Sequence, residues 1–157
     1  LGENFMSFMY EAIKEGLKAY EEGEIPIGAV IVKDGVIIGR GHNRKEIEKN
    51  PTRHAEIIAI EEACKTIGDW RLLGCEMYVT LEPCPMCTGA IIQSRISKLI
   101  IGTFNKDMGA CGSVVNLIDN RNLNSFVEVV WSYDERCGNL LMDFFYAKRN
   151  EKFRREC

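Results

Sequence analysis

Glu76-Met77-Tyr78-Val79-Thr80-Leu81-Glu82-Pro83-Cys84-Pro85-Met86-Cys87 carries the strongest structural signal in the chain. Residues 76–81 are mostly apolar or β-branched and predict a strand. Pro85 suits the first turn of a helix, where its missing N–H costs nothing, so a helix is predicted over 85–94. A strand passing into a helix belongs to a βαβ order, and so to an α/β fold. Cys84 and Cys87 sit three apart at that helix start, which turns both sulfurs to one side. Alone, such a pair reads as half a metal site or as a redox couple.

A second stretch, His54-Ala55-Glu56, stands at the start of another predicted helix, over 54–67. One imidazole and two thiolates suit zinc and leave its fourth tetrahedral position open for water. Glu56 is then the expected proton carrier for that water, as general base and later general acid. A carboxylate two residues from a ligand would face away in mid-helix, but in the first turn it can reach a site beyond the helix end. A closed structural zinc site would need a fourth ligand from His42, Cys64, Cys75, Cys111, Cys137 or Cys157, and no spacing nominates one. His-x-Glu followed by Pro-Cys-x-x-Cys resembles the signature of zinc-dependent nucleobase deaminases.

The 157 residues are expected to form one deaminase domain over 1–157. Hydrophobic residues make up 46% and charged residues 27%, a globular balance. No apolar run approaches the roughly 20 residues of a membrane span, and residues 1–10 lack the basic and apolar regions of a signal peptide. Seven cysteines, an odd number, fit a reducing compartment, so the expected location is cytoplasmic. The net charge of −3 requires any nucleic-acid contact to be local. Acidic residues gather at the start, and Lys148, Arg149, Lys152, Arg154 and Arg155 at the end.

In chain order, a first helix is predicted over 4–22, from Phe5, Phe8, Met9, Ala12, Ile13 and Ala19. Apolar runs 27–32 and 36–41 flank Asp34-Gly35, a hairpin signal. Residues 44–53 form a loop with Thr52 as N-cap of the second helix, which is apolar on most sides and expected buried. Further strands are predicted over 98–102 and 126–131, with a short helix or turn at 114–118. The last helix, over 134–153, should turn Leu140, Leu141, Phe144 and Phe145 inward.

The run from Asp69 to Ala90 resembles the bacterial tRNA-specific adenosine deaminases, as do Glu24-Ile-Pro-Ile-Gly-Ala-Val, His42-Asn43, Ser94-Arg-Ile, Gly109-Ala-Cys-Gly-Ser and Asp143-Phe-Phe. The resemblance implies a three-layer α/β/α cytidine-deaminase-like fold with a five-stranded mixed sheet. It also implies a homodimer with one zinc per subunit and a tRNA anticodon stem-loop whose wobble adenosine becomes inosine. By position, His54, Cys84 and Cys87 would hold zinc and Glu56 would shuttle protons. Asn43 would hydrogen-bond the flipped base, while Ile25, Pro26, Ile27 and Ala55 would wall its pocket. Phe145 and Arg149 would lie near the anticodon loop, where single-stranded bases stack on aromatic and Arg planes. The sequence departs from the family pattern at Arg53, where a small residue is more usual. It departs again at Asn105, an Asp in many relatives that sits near a ribose 2′-OH. Deamination of free guanine or cytosine is the alternative, with Glu82 weighing for adenosine because cytosine enzymes of this fold carry Ser there.

Overall fold

Strand β1 (Gly28–Lys33) is buried along all but its last residue. Its side chains divide between two cores: Ala29 and Ile31 join one cluster, Val30 and Val32 the other. A strand covered on both faces reads as a continuous apolar run, which is how this one reads. The computed structural model describes the backbone of residues 2–156 and the side chains of 7–156. The side chain of Phe5 and all of Cys157 therefore lie outside the described residues.

Around β1 run β2 (Val36–His42), β3 (Glu76–Leu81), β4 (Lys98–Thr103) and β5 (Glu128–Trp131), in the order β2-β1-β3-β4-β5. β1 is antiparallel to both neighbours, and β3, β4 and β5 are parallel. Helices α2 (Ala55–Ile67) and α3 (Pro85–Gln93) cover one face, and α1 (Gly2–Glu21) and α4 (Glu135–Glu156) the other. This is the expected three-layer α/β/α arrangement with a mixed five-stranded sheet. Among the described residues, no helix is long and apolar enough to cross a membrane.

The Asp34-Gly35 hairpin forms with both residues at positive φ, 49° and 77°, the backbone of a type I′ turn. Because β1 runs against β3, the turn lies at the opposite end of the sheet from the carboxyl ends of β3 and β4. Helix α2 lies directly on the backbone of β2. A Cβ at Gly41 would run into the carbonyl of Ala55 and the amide of Ala59. The helix meets the sheet through Ala55, Ala59 and Ala63, small residues that permit this approach. Its buried side is thus one narrow face, not most of its surface as expected.

Three local expectations fail. Thr52 is not the N-cap of α2: His54 is, and the Thr52 hydroxyl instead donates to Asn50 Oδ1 at 2.7 Å. Residues 114–118 are not helical; a bridge joins Cys111 to Asn116, and the short 3₁₀ turn falls at Arg121–Leu123. Phe144 points inward but Phe145 is 46% exposed, because consecutive residues on a helix lie about 100° apart and cannot share one face.

A charged clasp joins α1 to β2. His42 lies between Glu15 (3.3 Å) and Glu22 (3.1 Å), while Arg40 reaches Glu11 at 2.9 Å. Burial opposes the charge on Glu15, yet hydrogen bonds from His42 and Lys18 hold its carboxyl at about 2. The Glu15 hydrogen bond raises His42 above its ordinary 6.5 despite desolvation.

Gly41→Ala should lower the unfolding free energy by about 1–3 kcal/mol, since backbone cannot yield as a side chain can; an unchanged denaturation midpoint would refute the direct helix-on-strand contact. The clasp gives a pH signature. The stabilisation from a depressed carboxylate is present above its unfolded pKa and fades as pH falls towards about 2. That from raised His42 is present below 6.5 and is lost as pH climbs through its folded pKa. The stability gap between wild type and His42→Gln should therefore be widest near pH 5–6, measured by urea melts across pH, and should narrow in both directions.

Candidate metal centre and its cavity

The start of α2 and the start of α3 deliver the donors. His54 and Cys84 are the N-cap residues, both with extended backbone. Their side chains are turned to each other. His54 Nδ1 lies 3.6 Å from Cys84 Sγ and 3.5 Å from Cys87 Sγ, and all three donor atoms fall within 4.8 Å of one another. A tetrahedral zinc with bonds of about 2.3 Å to sulfur and about 2.0–2.1 Å to nitrogen sets S and N roughly 3.6 Å apart. The donor set therefore fits zinc in both chemistry and spacing.

The electrostatics agree. The Cys87 thiol donates to Cys84, which, helped by His54 and against desolvation, holds Cys84 at about 4. Cys87, burdened by the neighbouring thiolate and by burial, is pushed up. One proton shared by two sulfurs is what a divalent cation displaces. Two helix N-termini aimed at the sulfurs further favour thiolate. Glu56 lies in the first turn of α2, 4% exposed, and hydrogen-bonds Cys87. Burial raises its carboxyl above the ordinary range.

These groups open into a cavity of about 370 Å³ lined by His54, Glu56 and Cys84, with Ile27, Lys45, Pro51, Leu81, Glu82, Asn105 and Met108. Of the expected substrate-contacting residues, Ile27 and Asn105 thus line it. Ile25, Pro26 and Ala55 do not, and Ala55 is wholly buried where α2 meets β2. Asn43 stands behind the wall as a strand-end cap, donating to the Ile25 carbonyl at 3.3 Å and accepting from Lys45 N at 3.2 Å. Asn105 Oδ1 accepts from Asp107 N (3.2 Å) and Met108 N (3.1 Å), closing its own loop. Phe145 and Arg149 line a separate groove of about 740 Å³ between α4 and Lys106-Asp107. Arg53 braces the other loop, pairing with Glu48 at 3.0 Å and Glu61 at 2.6 Å.

Sequence reasoning missed Lys45, Pro51, Leu81 and Met108 as cavity walls. Leu81 was accessible to it, since the end of a strand leading into a ligand pair must face the site. The others come from loops whose path no periodicity encodes.

Residues 3–103 match the family model described as the cytidine and deoxycytidylate deaminase zinc-binding region. The chain is 49% identical over 146 residues to the tRNA-specific adenosine deaminase of Bacillus subtilis (strain 168), covering 92% of this chain and 91% of that protein. A solved structure from a study of A-to-I editing by tRNA:A34 deaminases at the wobble position of transfer RNA superposes with a TM-score of 0.83 at 38% identity, over 87% of this chain and 99% of that one. A guanine deaminase from Bacillus subtilis gives 0.62 at 40% identity, over 65% and 66%.

Cys87→Ala removes one of three donors and should reduce bound zinc from one equivalent to a small fraction, with His54→Ala doing the same. Metal analysis of the purified variants measures this, and full zinc content in either would exclude that residue as a ligand.

Proposed function

This chain belongs to the tRNA-specific adenosine deaminases, a zinc-dependent deaminase family, and we propose that it converts the wobble adenosine of a tRNA anticodon to inosine. One observation carries the proposal. His54 and Cys84, two of three zinc-spaced donors, and the buried carboxylate of Glu56 line a cavity of about 370 Å³, with the third donor Cys87 buried beside them; near the small end of ligand sites, it admits a single flipped base.

In this reading His54, Cys84 and Cys87 hold zinc, which supplies Lewis acidity and acidifies water towards neutral pH. Glu56 takes a proton from the attacking water and places it on the ring nitrogen beside the amine-bearing carbon. It then delivers a proton to the departing amine, so adenosine and water become inosine and ammonia. Its burial keeps bulk water from competing for that proton. Ile27 and Asn105 meet the base. Asn43, Ile25, Pro26 and Ala55 act from behind them by fixing the wall. Phe145 and Arg149, both facing the α4 groove, offer a stacking plane and a cation to the splayed anticodon loop.

The functional unit spans 1–157, works in the cytoplasm and pairs as a homodimer. The exposed apolar face of α2 and α3, a groove of about 680 Å³ including Ile57, Ile60, Trp70 and Met86, is the surface suited to the second copy. A monomer by sedimentation at assay concentration would remove the dimer.

The direct test incubates the zinc-loaded protein with an anticodon stem-loop bearing A at the wobble position and, in parallel, with guanine and cytosine. Inosine in the RNA is expected; ammonia from guanine without inosine would overturn the proposal. Glu56→Gln should retain zinc and lose roughly 10²–10⁴ in kcat with little change in KM. Near wild-type turnover would remove Glu56 from the proton path.

A further inference from the structure

Two carboxylates line the cavity, Glu56 and Glu82. They differ in what binds them. Glu82 is 1% exposed and follows the end of β3, where its amide donates to the Thr103 carbonyl at 2.8 Å. Its Oε1 accepts from Asn105 N at 3.1 Å and from the Ser113 hydroxyl. Its Oε2 accepts from Cys111 N at 2.9 Å and Ser113 N at 3.1 Å. All these donors belong to the one loop that follows β4, and together they satisfy both oxygens of the carboxylate. Glu56, by contrast, receives no donor from that loop among the described residues. Across the cavity, Glu24 binds the facing loop in a lesser way, accepting Glu46 N (2.8 Å) and Ile47 N (3.3 Å) on one oxygen.

We propose that Glu82 is a positioning residue for the deaminase reaction, whose buried carboxylate gathers residues 105–113 into one rigid wall and holds Asn105 and Met108 against the substrate cavity. The loop has no helix or sheet of its own to fix it there, only the Cys111–Asn116 bridge and local turns. Gly109 supports the assignment independently. Its backbone angle is one any residue adopts, yet a Cβ there would lie 2.5 Å from Glu82 Oε1 and against the Asn105 carbonyl. The loop thus closes on the carboxylate so tightly that no side chain fits between. The amide of Gln could not replace the carboxylate, since its NH₂ would face backbone N–H donors and leave at least one of them unpaired.

This inference rests on the cavity being the deaminase site, and the experiment separates the two. Glu82→Gln and Gly109→Ala disturb the same contact by different means, one by charge and one by bulk. Each is compared with wild type for zinc content, for stem-loop kinetics and for trypsin cleavage after Lys106, which is exposed in the loop. Both variants should keep their zinc and be cut faster at Lys106. KM should rise roughly 10- to 100-fold while kcat changes far less, as misplacement of a substrate wall predicts. A purely structural role would lower the melting temperature without splitting KM from kcat. Unchanged cleavage at Lys106 in both variants, or unchanged KM with faster cleavage, would overturn the role of Glu82. Absence of inosine from the wild type would instead overturn the reading of the site, and the cleavage comparison would still decide whether the carboxylate holds the loop. If Glu82→Gln does not fold, Gly109→Ala carries the same comparison.

Discussion

Two helix N-termini have to meet at one point, and most of the architecture serves that meeting. His54 and Cys84 stand at the N-caps of α2 and α3, where Ser, Thr or Asp is the usual residue, and turn their side chains to a common point. The first turns of both helices therefore aim their amides, and the positive end of the helix dipole, towards the sulfurs. Such an arrangement is tolerable only if the helices are held elsewhere. Helix α2 is held by the bare backbone of β2 at Gly41 and by its alanine face. Helix α3 is held by the parallel crossover from β3 to β4, with Ile91 and Ile92 in the core. The sheet does not contribute a ligand; it fixes the distance between the two helices that do.

The same geometry explains how one cavity holds two glutamates with separate tasks. Position in the fold distinguishes them more than residue type. Glu56 rides in the first turn of a helix, facing the sulfurs, and keeps its oxygens free of the loops. Glu82 caps the end of a strand and is enclosed by backbone amides. A carboxylate satisfied on both oxygens by one loop organises that loop, while one beside the sulfurs faces the metal centre.

Much of this was legible in the chain because it is written in short-range signals. The apolar run 27–32, the Asp34-Gly35 turn and Pro85 at a helix start each act over a few residues, and each element formed near its expected place. The ligand pair and His54 were legible because chemistry restricts which residues can do that work. The failures share a physical cause. Thr52 has a better intrinsic capping side chain than His54, but the helix starts at His54 so that its ring meets the sulfurs of Cys84 and Cys87, distant in sequence, and tertiary demand overrode local preference. Residues 114–118 look apolar enough for a helix, yet the loop there is shaped by Glu82, some thirty positions earlier. Phe144 and Phe145 could not be told apart by composition; only the rotation of α4 against Tyr20 and the sheet decides which is inside. Lys45, Pro51 and Met108 reach the cavity through loop paths that carry no period at all.

The Asp34-Gly35 turn has a practical meaning that follows from where it sits. Both residues are exposed, and the turn lies at the far end of the sheet from the strand ends that open on the cavity. Exposed turn tips accept added chain most readily. A fluorophore, an affinity handle or a second protein joined there would project away from the mouth through which RNA arrives. The hairpin is thus the natural seam for building this enzyme into a larger tool, since the linker begins where the catalytic half of the molecule ends.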